Sequence, residues 1–337
     1  MKKNYIITIS LIVFITCLGT VVFLYRNIDR DVIVIEQKKN DNLVKNVFEV
    51  GEVKYIEKQK NNKPVTILFG GDAMFDRYIR QMAESSSYES ILQGVKNIMI
   101  ASDCTMLNLE GPITESVSIS KHSVIGSPKN FIFTFDPQII SVLADHNVCL
   151  VNIGNNHINN FGTEGIVNTK KFLKNSTISY LGDTGMENEQ RYIIKDIGDV
   201  RFAFVNYNAF VRNARENTLS DIKSVKGKSD FIVLYTHWGT EYKTVSNIRE
   251  RELAHLFVDA GVDLIIGSHP HVVQEREVYK DKIIYYSLGN FVFDQYFSSE
   301  TKKGLIVRAT FDLNEKEIIT EEKEIVLHPN GKTEMKQ

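Results

Sequence analysis

A chain of 337 residues, 43% hydrophobic and 24% charged, has the make-up of an ordinary globular protein, with room for one large domain or two small ones. Its formal net charge of −2 supplies no basic field, which argues against a nucleic-acid partner. Three cysteines are too few for a disulfide framework. Cys17 lies in an apolar run, and Cys104 and Cys149 sit within CTMLNL and VCLVNIG, where two buried thiols are expected.

Lys2 and Lys3 precede an uncharged stretch from Tyr5 to Tyr25, long enough to cross a bilayer as a helix. No small-residue cleavage pattern interrupts it before Arg26, and bulky apolar residues after Cys17 make a poor lipoprotein signal. An uncleaved anchor is therefore expected over 5–25. The paired lysines favour residues 1–4 in the cytoplasm, giving a single-pass cell-membrane protein whose C-terminal domain is extracytoplasmic. Residues 26–63, with KKNDNLVKN and EKQKNNK, read as a polar stalk. A short strand is expected within it at Val32–Ile35.

From Pro64 the texture changes. Val65–Phe69 is a continuous apolar run closed by Gly70-Gly71, as expected of a buried strand. Similar runs follow at Ala203–Tyr207, Phe231–Tyr235, Asp263–Ile266, Lys282–Tyr286 and Leu305–Phe311. Helical patterns separate them at Arg77–Met82, Gln138–Asp145, Thr163–Leu173 and Asn247–Ala260. This alternation predicts an α/β domain over 64–313. The charge-rich residues 314–337 read as a tail, with a last strand at Glu324–Leu327.

Five apolar segments each end in groups that bind protons or metals. VTILFGG leads to Asp72, CTMLNL to Glu110, and VCLVNIG to Asn155, Asn156 and His157. FIVLYT ends at His237, and VDLIIGS at His269-Pro270-His271. In open α/β sheets, sites form at the carboxyl edge of the strands. Parallel neighbours would bring Asp72, Glu110, Asn156, His237, His269 and His271 to one rim. Oxygen and imidazole donors without thiolate suit Mn, Fe or Zn, as one ion or two. Proline biases His269 toward extended backbone, where residues two apart share a side, so His269 and His271 are expected to face one centre. His122, His146, His255 and His328 lack such a setting. No G-x-S-x-G elbow, P-loop or dinucleotide fingerprint is present.

Six segments together resemble the bacterial capsule-synthesis (CapA/PgsA, poly-γ-glutamate synthesis) family. They are FGGDAMFDR (Phe69–Arg77), NLEGP (Asn108–Pro112), NNH (Asn155–His157), HWGTEY (His237–Tyr242), GSHPHVVQ (Gly267–Gln274) and SLGNFVFDQ (Ser287–Gln295). The resemblance implies a metallophosphoesterase-like fold, a four-layered α/β/β/α sandwich. It implies Asp72 and His271 on one metal, a bridging Glu110, and Asn156, His237 and His269 on a second. His157 is then a catalytic group beside the metals, Arg77 a group that neutralises substrate charge, and Asn155, Glu241 and Tyr242 line the substrate. Met74 stands where the phosphoesterases carry a histidine, and a thioether is a poor ligand for such ions. Two roles fit: a metal-dependent hydrolase of an anionic polymer or phosphoester, or a non-catalytic polymer-binding partner of membrane synthase subunits.

Overall fold

The computed structural model describes residues 63–187 and 189–336, with four residues nearer the N-terminus. The anchor over 5–25 therefore falls almost wholly outside the described residues, as do the stalk and the strand at Val32–Ile35. The four, β1 (Thr16–Cys17) and β2 (Thr20–Val21), pair as antiparallel strands and not as helical turns. Among the described residues no helix is long and apolar enough to cross a membrane.

The compact unit, residues 60–337, runs as an alternation of strands and helices. Its first part is β3 (Val65–Ala73), α1 (Arg77–Ser85), α2 (Tyr88–Leu92), α3 (Lys96–Ile100), β4 (Cys104–Leu109), α4 (Ile139–Asp145), β5 (Val148–Asn152), α5 (Gly162–Lys174) and β6 (Ser179–Leu181). The middle is β7 (Tyr192–Ile197), β8 (Val200–Asn208), α6 (Ala214–Val225), β9 (Phe231–His237), α7 (Ile248–Ala260) and β10 (Leu264–Ser268). Then come β11 (Arg276–Tyr279), β12 (Lys282–Tyr285), β13 (Asn290–Val292), β14 (Lys303–Asp312), β15 (Glu317–Leu327) and β16 (Thr333–Met335).

These strands form two sheets. The larger has the order β16-β15-β14-β3-β4-β5-β6, with β13 against β3, and the smaller β11-β12-β10-β9-β8-β7. In each, the central strands are parallel: β3 to β6 in one, β8, β9, β10 and β12 in the other. Alternation along each strand divides the core. Ile67 and Phe69 of β3 pack with Phe204, Val233 and Ile266 between the sheets. Leu68, with Leu107 and Val151, turns outward beneath Ile79, Leu143 and Ile166 of helices α1, α4 and α5. On the smaller sheet, Val205, Leu234 and Ile265 face outward against Ile222 of α6 and Phe257 of α7. Strands buried on both faces must be apolar at every position, which is why they read as unbroken runs. The result is helices, sheet, sheet, helices.

The expected helices sit close to their sequence positions. Asn247 is the cap of α7, not its first residue: its Oδ1 accepts from Arg249 N and Glu250 N, and Glu250 returns a bond to Asn247 N.

Two expectations need correction. Cys104 and Cys149 are not free thiols but a disulfide, with Cα atoms 5.4 Å apart. The strands are neighbours, and Thr105 pairs with Val148 while Met106 pairs with Leu150, leaving Cys149 as an extra residue beside Cys104. Residues 314–337 are not a tail beyond the domain. β15 pairs with β14 along ten registered positions, from Lys303↔Val326 to Asp312↔Glu317, and β16 extends the same sheet.

Candidate metal centre

Because the central strands of each sheet are parallel, their carboxyl ends share an edge, and polar residues there align in register. Across the larger sheet, Asn290, Asp72, Asn108 and Asn152 stand side by side. Across the smaller, Asn208, His237 and Ser268 do the same. The hydroxyl of Tyr235 in the smaller sheet donates to Gly70 O in the larger at 2.5 Å, tying the two just behind the site. Gly71 is required here: a Cβ on it would lie 1.9 Å from Gly289 O, the atom that accepts from Asp72 N at 3.0 Å.

Asp72 is fully buried and accepts from Asn108 Nδ2 (2.8 Å) and from the backbone N–H of His269 (3.0 Å). His271 Nδ1 lies 3.3 Å from its Oδ2, and His237 Nδ1 3.9 Å from its Oδ1. Burial alone would raise its pKa, but hydrogen bonding and charge from His271, then charge from His237, hold it well below the usual carboxylate range. Glu110 goes the other way. Burial, followed by the charge of Asp72, pushes its pKa well above normal. Its Oε1 lies 3.5 Å from His271 Nε2 and 3.9 Å from His157 Nε2. His237 has Nε2 2.8 Å from Asn156 Oδ1 and Nδ1 3.0 Å from Ser268 Oγ. Burial lowers the pKa of His237 far below the usual range and that of His269 to about 3, so both rings are neutral.

Ligand atoms gather in two groups, each within 4.8 Å: Asp72, Glu110 and His237, and Glu241, His269 and His271. Glu110 Oε1 and His269 Nδ1 are buried with no hydrogen-bond partner. Orphaned buried acceptors of this kind are what a cation would satisfy, and the oxygen and imidazole donors suit a divalent ion. The grouping differs from the one the resemblance implies: His237 joins Asp72 and Glu110, while Glu241 moves from substrate lining to a possible ligand beside His269.

Several residues are placed otherwise than expected. His269 and His271 are not extended, with φ of +98° and +58°. β10 ends at Ser268 and the chain turns sharply, yet the two rings still approach to 5.9 Å between centroids. Asn155 does not line a substrate surface. It is buried, its Nδ2 donating to Asn108 Oδ1 and Leu109 O, its Oδ1 accepting from His157 N. Arg77 is buried in an ion pair with Asp294, its guanidinium 5.0 Å from the Phe133 ring and 5.2 Å from the Phe293 ring. Met74 is no ligand: its sulfur accepts from Asp76 N in the core. Tyr242 is exposed at the rim, its hydroxyl accepting from Gln295 Nε2 at 3.2 Å. Of the four histidines set aside, His146 is bonded to Val142 O, and His255 and His328 pair with Glu277 and Glu334.

Residues 66–295 match the family described as bacterial capsule synthesis protein PGA_cap. This chain belongs to the PGA_cap family. Its matched region contains every residue of the two ligand groups. Capsule biosynthesis protein CapA of Bacillus anthracis is 29% identical over 268 residues, covering 74% of this chain and 64% of that protein. PGA biosynthesis protein CapA of Bacillus subtilis (strain 168) is 32% identical over 254 residues, covering 71% of this chain and 66% of that protein. This PGA_cap chain thus spans just under two thirds of either Bacillus relative. A probable polyglutamine synthesis accessory protein of Mycobacterium tuberculosis (strain CDC 1551 / Oshkosh) is 20% identical over 293 residues, covering 69% of this chain and 76% of that protein.

The PGA_cap site also uses residues that the sequence reading passed over. Asn206 Nδ2 donates to Asn152 Oδ1 (2.8 Å), Asn152 Nδ2 to Asn108 Oδ1 (2.9 Å), and Asn108 Nδ2 to Asp72, a buried amide chain ending on the carboxylate. Asn290 Oδ1 lies 3.0 Å from His271 Nδ1. Their signal was present as single asparagines breaking apolar strands.

Proposed function

We propose that this domain works in capsule poly-γ-glutamate synthesis as a metal-dependent hydrolase of metallophosphoesterase type, acting on an anionic polymer or phosphoester. The observation that carries the reading is the pair of unsatisfied buried acceptors, Glu110 Oε1 and His269 Nδ1, inside a cluster of carboxylates and imidazoles. The names of the two Bacillus relatives supply the capsule context. Asp72, Glu110 and His237 would hold one ion and Glu241, His269 and His271 another, with Asn156 beside His237. Such an ion supplies Lewis-acid polarisation of a substrate oxygen when bound.

His157 has a definite part in this scheme. Phe133 N–H donates to Asn160 Oδ1 at 2.8 Å, so that oxygen is also the acceptor for His157 Nδ1 at 3.1 Å. The proton then sits on Nδ1, and the Nε2 lone pair is on the side of Glu110. Burial lowers the His157 pKa to about 4, so at neutral pH it is a proton acceptor, not an imidazolium acid. Glu241 and Tyr242 would meet the substrate at the open rim. Arg77, tied to Asp294, would act on substrate charge only from behind the Phe133 and Phe293 rings.

The chain is read as anchored through 5–25 with this domain outside the cytoplasm. The Cys104–Cys149 disulfide supports that placement, since such bonds persist in oxidising compartments. A second reading, a polymer-binding accessory subunit of a membrane synthase, draws on the M. tuberculosis relative's name and on Met74 in the place of a ligand histidine. The full chain, purified in detergent, separates them. Bound metal is measured by elemental analysis, and model phosphodiesters and poly-γ-glutamate are assayed with added Mn²⁺. Turnover lost in Glu110→Ala and His269→Ala supports the hydrolase. Metal and polymer binding without turnover supports the accessory subunit, and a wild-type chain that binds no divalent ion rejects both.

A further inference from the structure

The segment from Thr114 to Phe131 projects five large apolar side chains into solvent. Val117, Val124 and Ile125 are 88%, 77% and 92% exposed, with Ile119 and Phe131 also open. Its tip is a turn, Ser127 N donating to Val124 O at 3.0 Å, with Gly126 at φ +79° and open space around it. Turn tips ordinarily carry polar residues because water must solvate them. A valine and an isoleucine at such a tip, with two further aliphatics and a phenylalanine on the same segment, form an apolar feature that nothing in the domain covers.

The segment is built, not loose. Asp76, itself fully buried, accepts from Ser118 Oγ (2.6 Å), Ser120 Oγ (2.8 Å) and Thr134 N (2.8 Å). Gln81 donates to Lys121 O, and Lys121 pairs with Glu84. Near the tip, Asn130 donates to Ser123 Oγ at 3.0 Å and accepts from Gly126 N at 3.4 Å. A fixed base with an apolar tip holds hydrophobic side chains out at no further entropic cost.

We infer that this tip inserts into a lipid bilayer with anionic headgroups, on the side of the membrane where the domain stands. Lys121, His122 and Lys129 flank Val124 and Ile125, against one acidic residue in the segment, Glu115. Aliphatic tip and cationic shoulders match the acyl and phosphate layers of such a surface. The sequence before the domain also brings a bilayer within reach. The apolar run ends at Tyr25, and residues 26–62 can span up to about 120 Å when fully extended. The loop's far end carries Phe133, whose ring lies 4.3 Å from that of His157. Insertion would therefore hold the candidate metal centre at the membrane surface, where a membrane-made polymer emerges.

The inference rests on the reading that the chain is held at a membrane, and the test keeps the two apart. Trp238 is the single tryptophan and is buried, so Ile125→Trp adds one reporter over a constant background. The full-length variant is reconstituted into vesicles of mixed phosphatidylcholine and phosphatidylglycerol, with and without bromine on the acyl chains. Several-fold quenching of the introduced indole by the brominated lipid is expected. An indole with water-like emission, equal in both vesicles, in protein that stays through an alkaline carbonate wash, overturns the insertion and leaves the anchor standing. Protein removed by that wash rejects the anchor. The tip is then judged by flotation of the full chain with the same vesicles, where Val124→Asp/Ile125→Asp should bind at least tenfold more weakly. Equal flotation overturns the inference, as does an indole shielded only when other membrane proteins are added, which would assign the tip to a protein partner. An unchanged melting temperature shows that the aspartates leave the fold intact.

Discussion

The guanidinium of Arg77 and the carboxylate of Asp294 pair inside the protein, with side chains only 9% and 8% exposed. Two rings extend this pairing toward the metal centre. Phe133 lies between Arg77 and His157, and Phe293 between Arg77 and His271, with ring separations of 4.3 Å and 4.7 Å on the histidine side. A residue that reads from sequence as a substrate contact is, in the fold, a support for two imidazoles.

That arrangement predicts how the pair responds to mutation. Burial raises the Asp294 pKa, and Arg77 opposes the rise, so each group is tolerable only with its partner. Asp294→Asn should cost about 3–5 kcal/mol, because the guanidinium is left buried and unpaired. Arg77→Met/Asp294→Leu, which removes both charges, should cost less than Asp294→Asn alone. Urea unfolding reads this as a smaller shift in midpoint at constant slope. A double variant as unstable as the sum of the singles would show that the pair is not coupled.

Protons should compete with metal at this site, and the direction follows from Glu110. Its raised pKa means the metal-free site keeps a proton there at pH values where an ordinary glutamate has lost it. His237 and His269 have lowered pKa values and are already neutral, so they release nothing at pH 7. Mn²⁺ binding must therefore expel the Glu110 proton, and affinity must rise with pH between about 5 and 8. Calorimetry in buffers of different ionisation enthalpy should find about one proton released near neutrality. Glu110→Gln should bind more weakly and release none. Proton uptake on binding would contradict this reading of the site.

How much of this was legible depends on how far a feature needs register. Asp72, Glu110, His237, His269 and His271 each close an apolar run, and the parallel order of the strands does the rest. Asn108, Asn152 and Asn290 lie inside strands, and their alignment with Asp72 exists only once the pairing is known. The partner of Arg77 is 217 positions away and carries no local mark. The disulfide depends on a one-residue slip between β4 and β5. Strand β15 escaped because Glu321–Glu324 is charged and exposed, leaving no apolar run to read.

The amide of Asn290 offers a test that spares the ligand groups themselves. Its Oδ1 fixes His271 at Nδ1, while its Nδ2 donates to Thr301 O (2.9 Å) and Gln295 Oε1 (3.1 Å). Partners that orient a ligating imidazole typically contribute 10–100-fold to metal affinity. Asn290→Ala should weaken Mn²⁺ binding by roughly that factor while the far-ultraviolet circular dichroism stays unchanged. Unaltered affinity in a folded variant would remove His271 from the ligand set.

The Cys104–Cys149 bond closes a sequence separation of 45 residues between adjacent strands that lead to Glu110 and Asn156. A cross-link of that span lowers the entropy of the unfolded chain by an amount worth about 4 kcal/mol in the loop-closure picture. Both sulfurs lie on the opposite end of their strands from the site, so the bond stabilises the sheet without touching a ligand. Cys104→Ala/Cys149→Ala should therefore melt well below the wild type and bind Mn²⁺ with unchanged affinity at temperatures where it is folded. Reductant should lower the melting temperature of the wild type and leave the variant where it is. If reductant moved neither, the two cysteines would be thiols in the protein as made, and the support they lend to an extracytoplasmic domain would go with them.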